Sequence, residues 1–163
     1  MAGCAALEPA STAPPALASV PGAFEIAGRL SVKQGDRGDM ARLRWTHRRD
    51  SDAWVIASPI GSEVARIESD GSGAVLRRGG AADEHASSFA VLTQRLLGAA
   101  LDPRELAAWL HGGKPANAAA AEWSVSVDET QRAGTVDLAK RITATRGDTV
   151  VKLVVDSYRA LGD

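Results

Sequence analysis

Apolar and polar positions alternate with period two near the start of the ordered region. Phe24, Ile26, Leu30 and Val32 lie on one face and Glu25, Ala27, Arg29 and Ser31 on the other, with a break at Gly28. That pattern predicts a half-buried β-strand. A turn over Gln34–Gly38 leads to a second strand, in which Ala41, Leu43 and Trp45 alternate with Arg42, Arg44 and Thr46. After the polar stretch 47–52 comes a third strand over 53–58, carrying Trp54 and Ile56. A fourth spans 63–68 and, after Asp70-Gly71-Ser72-Gly73, a fifth spans 74–77. Tight turns between short strands predict an antiparallel meander.

The period then changes. Between 87 and 97, Phe89, Leu92 and Leu96 fall at helical spacing, with Ser87 or Ser88 to cap the start and Gly98 to end it. A second helix carries stronger punctuation. Asp102 suits the N-cap, Pro103 the first turn and Glu105 the capping box, ahead of the stripe Leu106, Trp109 and Leu110 and the stop at Gly112-Gly113. Strands resume at 123–127, 135–138, 141–145 and 149–156. A long antiparallel sheet must bury its apolar face, and the two mid-chain helices are the available cover.

The 163 residues suffice for one core. The expected division is a tether over 1–22 and one domain over 23–163. The tether reading rests on Pro9, Pro14, Pro15 and Pro21 in an Ala/Ser/Thr-rich segment with little to bury. A net charge of -1 gives no general electrostatic reason to bind nucleic acid. His47, His85 and His111 are scattered, and Cys4 is the one cysteine, so neither a metal site nor an internal disulfide is expected. No run is apolar enough to span a bilayer as a helix. Asp83-Glu84-His85 are neighbours in sequence without a marked nucleophile, which is not a catalytic geometry. No phosphate-binding loop is visible.

Several segments resemble the LolB family. They are Gly28-Arg29-Leu30 on the first strand, Leu43-Arg44-Trp45 on the second, Ser58-Pro59-Ile60-Gly61-Ser62 after the third, and Leu106-Ala107-Ala108-Trp109-Leu110-His111-Gly112 on the second helix. Order and rough spacing agree from Phe24 to about Pro115. The C-terminal strands match loosely: Tyr158 stands where the family usually has Trp, and a Pro expected near Lys140 is absent. The resemblance implies an incomplete, half-closed antiparallel β-barrel, mainly β with helices forming a lid over a hydrophobic cavity. It implies a monomeric, non-enzymatic receptor without a cofactor. Such a receptor takes lipoproteins from the periplasmic carrier LolA, shields their acyl chains and inserts them into outer-membrane lipid. The other reading is a generic periplasmic lipid- or small-ligand-binding protein on the same fold.

Candidate residues follow. Leu43, Trp45, Trp54, Ile56, Phe89, Leu92, Leu96, Leu106, Trp109 and Leu110 line the expected acyl-chain cavity, or else simply pack a core. Pro59, Ile60 and Gly61 form the expected membrane-insertion loop: Pro fixes the backbone and Gly permits a sharp turn, which presents Ile60 unless it tucks back into the sheet. Arg42, Arg44, Arg48 and Arg49 form a basic group, either a solvated face or a contact for the carrier or for anionic headgroups. Ala2-Gly3-Cys4 matches the end of a bacterial lipobox or is a chance triplet. In the lipobox reading Cys4 is acylated, the signal core lies upstream in the precursor, and Ala5 agrees with delivery to the outer membrane. The protein is then anchored at the periplasmic face of that membrane, or soluble in the periplasm where the anchor is absent.

Overall fold

The alternation around Gly28 becomes the first strand of a single antiparallel sheet. The computed structural model describes residues 21–112 and 123–162. The first five strands are β1 (Phe24–Gln34), β2 (Arg37–Arg48), β3 (Ser51–Ala57), β4 (Glu63–Asp70) and β5 (Gly73–Arg77). They are followed by β6 (Glu84–Ala86), α1 (Phe89–Leu97), α2 (Pro103–Leu110), β7 (Ser124–Ala133), β8 (Val136–Arg146) and β9 (Thr149–Ala160). The strand order is β6-β5-β4-β3-β2-β1-β9-β8-β7, so the sheet is open, with β6 and β7 at its edges. The first and last strands pair at its centre, and Leu161 N–H donates to the Ala23 carbonyl at 2.9 Å.

Two elements differ from the sequence expectation. Residues 136–138 and 141–145, expected as parts of two strands, belong to one strand, β8, whose ladder continues through Ala139 opposite Thr130; Thr135 lies in the preceding turn. Leu138 and Ala139 are both buried, which interrupts the alternation and makes one strand look like two. The stretch 84–86, where no strand is expected, pairs with β5 as a short edge strand. Three residues without apolar alternation leave no sequence signal.

Both helices start at an expected cap, and α1 ends at the expected glycine. Ser88 caps α1 by accepting from Val91 N–H at 3.4 Å, and Gly98, at φ 80°, closes it with an N–H to the Gln94 carbonyl. Asp102 caps α2 by accepting from Arg104 N–H at 2.8 Å, with Pro103 in the first turn. The buried Thr93 hydroxyl accepts from Leu101 N–H at 2.8 Å and donates to the Ala90 carbonyl at 3.0 Å, fixing the connection between the helices. α1 packs over β4, β5 and β6, and α2 over β8, on the sheet face that carries the buried side chains.

A bulge re-aims the end of β9. Ala27 pairs with Ser157 but Gly28 pairs with Val155, leaving Asp156 as an extra residue. Val151, Leu153 and Val155 point inward before it, and Tyr158 joins the core after it. Gly28 makes the close approach possible: a Cβ there would stand 2.1 Å from the Val154 carbonyl oxygen.

Candidate functional site

The sheet has an apolar face and a charged face, and the expected site residues divide between them. On the apolar face, Leu43, Trp45, Trp54, Ile56, Phe89, Leu92, Leu106, Trp109 and Leu110 are all buried in one cluster, with Leu96 half-buried at its margin. Phe89 of α1 meets Trp54 edge-on with centroids 4.9 Å apart, and Trp54 meets Trp45 at 6.0 Å. These ten residues therefore form the contact layer between helices and sheet. Each large side chain withdrawn from water there stabilises the fold by about 1.5–3 kcal/mol.

Polar groups inside this layer are tied down, with one exception. Asp52 is buried and accepts from Trp45 Nε1–H at 2.8 Å and from His47 Nδ1–H at 2.7 Å. His111, at the end of α2, has Nδ1 2.7 Å from the Ala107 carbonyl. A carbonyl only accepts, so Nδ1 carries the proton and Nε2 accepts from the Tyr158 hydroxyl at 2.9 Å. Phe24 stacks on His47 at 4.9 Å and on Tyr158 at 5.6 Å, and lies 5.2 Å from the His111 ring. Burial holds the His111 imidazolium below its ordinary pKa, and nearby His47 adds to this, against the bond to Ala107. Burial pushes the Tyr158 phenol up to about 12. The exception is Trp54 Nε1, buried without a hydrogen-bond partner among the described residues.

Sequence reading passed over Phe24, Asp52, His111 and Trp123 as site residues. Asp52 lay in a stretch read as polar turn, and its partners are seven and five positions away. Trp123 packs edge-on against Trp109 at 6.1 Å, with the Arg146 guanidinium 4.6 Å from its ring centroid. As the remaining tryptophan of the chain it was the most legible of the four.

At the end of β3 the chain makes a three-residue turn. Gly61 N–H donates to the Ser58 carbonyl at 2.8 Å, and Ser58 N–H donates to the Ser62 carbonyl at 2.8 Å. Gly61 takes φ 98°, the left-handed conformation that ends such hairpins. Pro59 and Gly61 are exposed, and Ile60 at the tip is 89% exposed. It does not tuck back into the core.

The four arginines are all exposed but do not form one group. Arg42 and Arg44 lie on the charged face of β2, opposite Ala57 and Val55 of β3. They share a cleft of about 680 Å³ with Arg29, Gly61, Glu63 and Asp156. Arg48 and Arg49 sit at the hairpin between β2 and β3, roughly 20 Å from Arg42 along the strand. Asp83 and Glu84 are engaged by Arg77 and Arg78, so neither is poised by His85. Among the described residues no group of His, Cys, Asp or Glu could hold a metal ion, and no helix is long and apolar enough to cross a membrane. Cys4 lies outside the described residues.

Comparison with known proteins agrees with the resemblance carried by the motifs. The family model for outer membrane lipoprotein LolB matches residues 22–158. The outer-membrane lipoprotein LolB of Azoarcus sp. (strain BH72) is 26% identical over 159 aligned positions, covering 89% of this chain and 82% of that protein. That of Chromobacterium violaceum is 29% identical over 178, covering 98% and 93%. Among solved structures, the LolA superfamily protein NE2245 from Nitrosomonas europaea superposes with a TM-score of 0.48 at 9% identity, covering 86% of this chain and 87% of that one. The matched residues run from the first strand to Tyr158 in the last, and on that extent the chain belongs to the outer membrane lipoprotein LolB family.

Proposed function

We propose that this protein accepts lipoproteins from the periplasmic carrier LolA, shelters their acyl chains between its helices and the apolar face of its sheet, and passes them into the outer membrane through the Ile60 turn. Family membership makes the protein an outer-membrane lipoprotein receptor, lipid-anchored at the periplasmic face, and not an enzyme. The finer steps are our reading. Its main support is Ile60: a large apolar side chain, 89% exposed at the tip of a tight turn, is presented where it can meet an apolar partner such as the bilayer interior.

Energetics favour such a route. Each acyl methylene removed from water gains about 0.8 kcal/mol, so a long chain left in water costs on the order of 10 kcal/mol. Transfer can then run downhill from carrier to receptor to bilayer by differential affinity, without nucleotide. In this reading the contact layer of Trp45, Trp54, Phe89, Leu92, Leu106 and Trp109 parts to admit the chains and re-forms as they leave. Arg48 and Arg49 are offered to the carrier, the molecule acts as a monomer, and Cys4 carries the anchor.

The deciding experiment loads LolA with a labelled lipoprotein and measures its appearance first on this protein and then in liposomes. Stripping of the carrier followed by delivery is expected. Binding of free fatty acid without acceptance from the carrier would instead establish the generic lipid-binding reading.

A further inference from the structure

The Ile60 turn is flanked by arginines that no carboxylate engages among the described residues. Most charged groups around them are paired: Arg29 with Asp156 at 3.0 Å, Arg66 with Glu63 at 3.2 Å, and Arg77 with Glu68 at 2.6 Å. Both acidic residues lining the cleft beside Arg42 and Arg44, Glu63 and Asp156, are thus committed to other arginines. Arg42 and Arg44 themselves have no ion pair among the described residues, although each is exposed and within a side chain's reach of acidic neighbours. Three arginines and two carboxylates line the cleft, a local surplus of one positive charge, and Arg42 and Arg44 are the two cations left without an ion pair among the described residues, on a chain whose net charge is -1.

Placement gives this surplus a direction. Arg42 Nη1 would lie 3.9 Å from a Cβ built on Gly61, so the guanidinium touches the base of the turn that presents Ile60. Two more exposed apolar side chains lie close to the turn and to Arg42 along the chain. Val64 follows the turn and is 49% exposed; Met40, two positions from Arg42 on β2, is 57% exposed. The result is an apolar tip with apolar shoulders and cations set just behind it. A bilayer has the matching order of layers, with hydrocarbon inside and phosphates outside it. An acidic protein surface would match the arginines but leave Ile60, Val64 and Met40 facing charge.

We propose that Arg42 and Arg44 bind anionic phospholipid headgroups while Ile60 enters the hydrocarbon, so that this end of the sheet is a docking surface for an anionic bilayer. The inference rests on the proposed insertion role of Ile60 and adds the lipid class it selects. Guanidinium suits this task because its planar donors meet phosphate oxygens in pairs. One buried Ile gains too little to hold a protein on a membrane, and two headgroup contacts supply the orientation that a lone tip lacks.

The test uses the full chain carrying Cys4→Ser, so that no acyl anchor masks the surface. Co-sedimentation is measured with phosphatidylcholine vesicles, with and without phosphatidylglycerol. Phosphatidylglycerol should strengthen binding, and added salt should reverse the gain. At ~1 kcal/mol per cation near an anionic surface, Arg42→Gln with Arg44→Gln should weaken binding to the anionic vesicles by about thirty-fold. Binding to neutral vesicles should not change, and Arg48→Gln with Arg49→Gln, at the far hairpin, should leave both values alone. Equal binding of the Arg42/Arg44 variant and the parent to anionic vesicles overturns the proposal. So does a variant that binds vesicles normally but no longer takes lipoprotein from LolA, which would assign these arginines to the carrier. The insertion role fails separately, if Ile60→Glu delivers cargo to liposomes at the parent rate.

Discussion

The Tyr158 hydroxyl donates to His111 Nε2 at 2.9 Å, joining the end of α2 to the last strand of the sheet. The contact depends on the bulge at Asp156, which turns Tyr158 inward, and on the Ala107 carbonyl, which keeps the His111 proton on Nδ1. It is a polar tie between lid and sheet, as is the bond that the Gln34 side-chain amide of β1 donates to the Gly98 carbonyl at the end of α1.

Stability should therefore depend on pH through His111. Its pKa is lowered in the folded state by burial, so the unfolded chain binds more protons just below pH 6.5. Stability is full above pH 6.5 and is lost as pH falls from there toward the folded-state value. Urea midpoints measured above and below pH 6.5 should show the decline, and His111→Leu should flatten it. Tyr158→Phe should cost about 1–3 kcal/mol at neutral pH, since it leaves a buried acceptor without its donor. An unchanged midpoint in that variant would mean that the tie contributes nothing.

Trp45 and Trp54 are both fully buried and lose the same volume on conversion to Phe. Their polar consequences differ. Trp45→Phe strips Asp52 of one of its two side-chain donors, whereas Trp54→Phe removes an N–H that has no partner. Trp45→Phe should be the more destabilising by about 1–3 kcal/mol, read from paired urea titrations. Equal losses would show that packing alone sets the cost at both positions.

Gly28→Ala should be among the worst single substitutions in the sheet. The added Cβ would lie 2.1 Å from a backbone oxygen, and backbone in paired strands cannot step aside as a flexible side chain does. A loss of at least about 2–3 kcal/mol is expected by thermal or urea unfolding. A near-silent Gly28→Ala would show that the bulge can shift to relieve the clash.

Ile60→Glu should change stability by no more than about 0.5 kcal/mol, because the side chain is in solvent. It should still take lipoprotein from the carrier yet deliver it poorly to liposomes, since a carboxylate resists entering hydrocarbon. Ile60→Leu should behave like the parent. Unfolding of the Glu variant is the result that would contradict the exposed position.

Much of this was legible locally. Pro59 and Gly61 flank Ile60 directly, so its exposure could be argued from three adjacent residues. Period two in β1 and the Asp102-Pro103 start of α2 are equally local signals. What escaped depends on pairing between distant segments. Tyr158 faces inward because one residue of β9 is skipped opposite Gly28, and nothing within residues 149–160 states that register. Asp52 looked like a turn residue because strand pairing, not sequence spacing, places it beside Trp45 and His47. The arginines of β2 looked like one basic group because a strand extends its residues, so neighbours in sequence separate in space.

The position of the helices in the chain has a mechanical consequence. They follow β6 and precede β7 in the chain, and these two strands are the edges of the sheet. Under the proposed function, a cargo that lifts α1 also pulls on β6 through the short link Ser87-Ser88, so the lid and that rim of the sheet would move together.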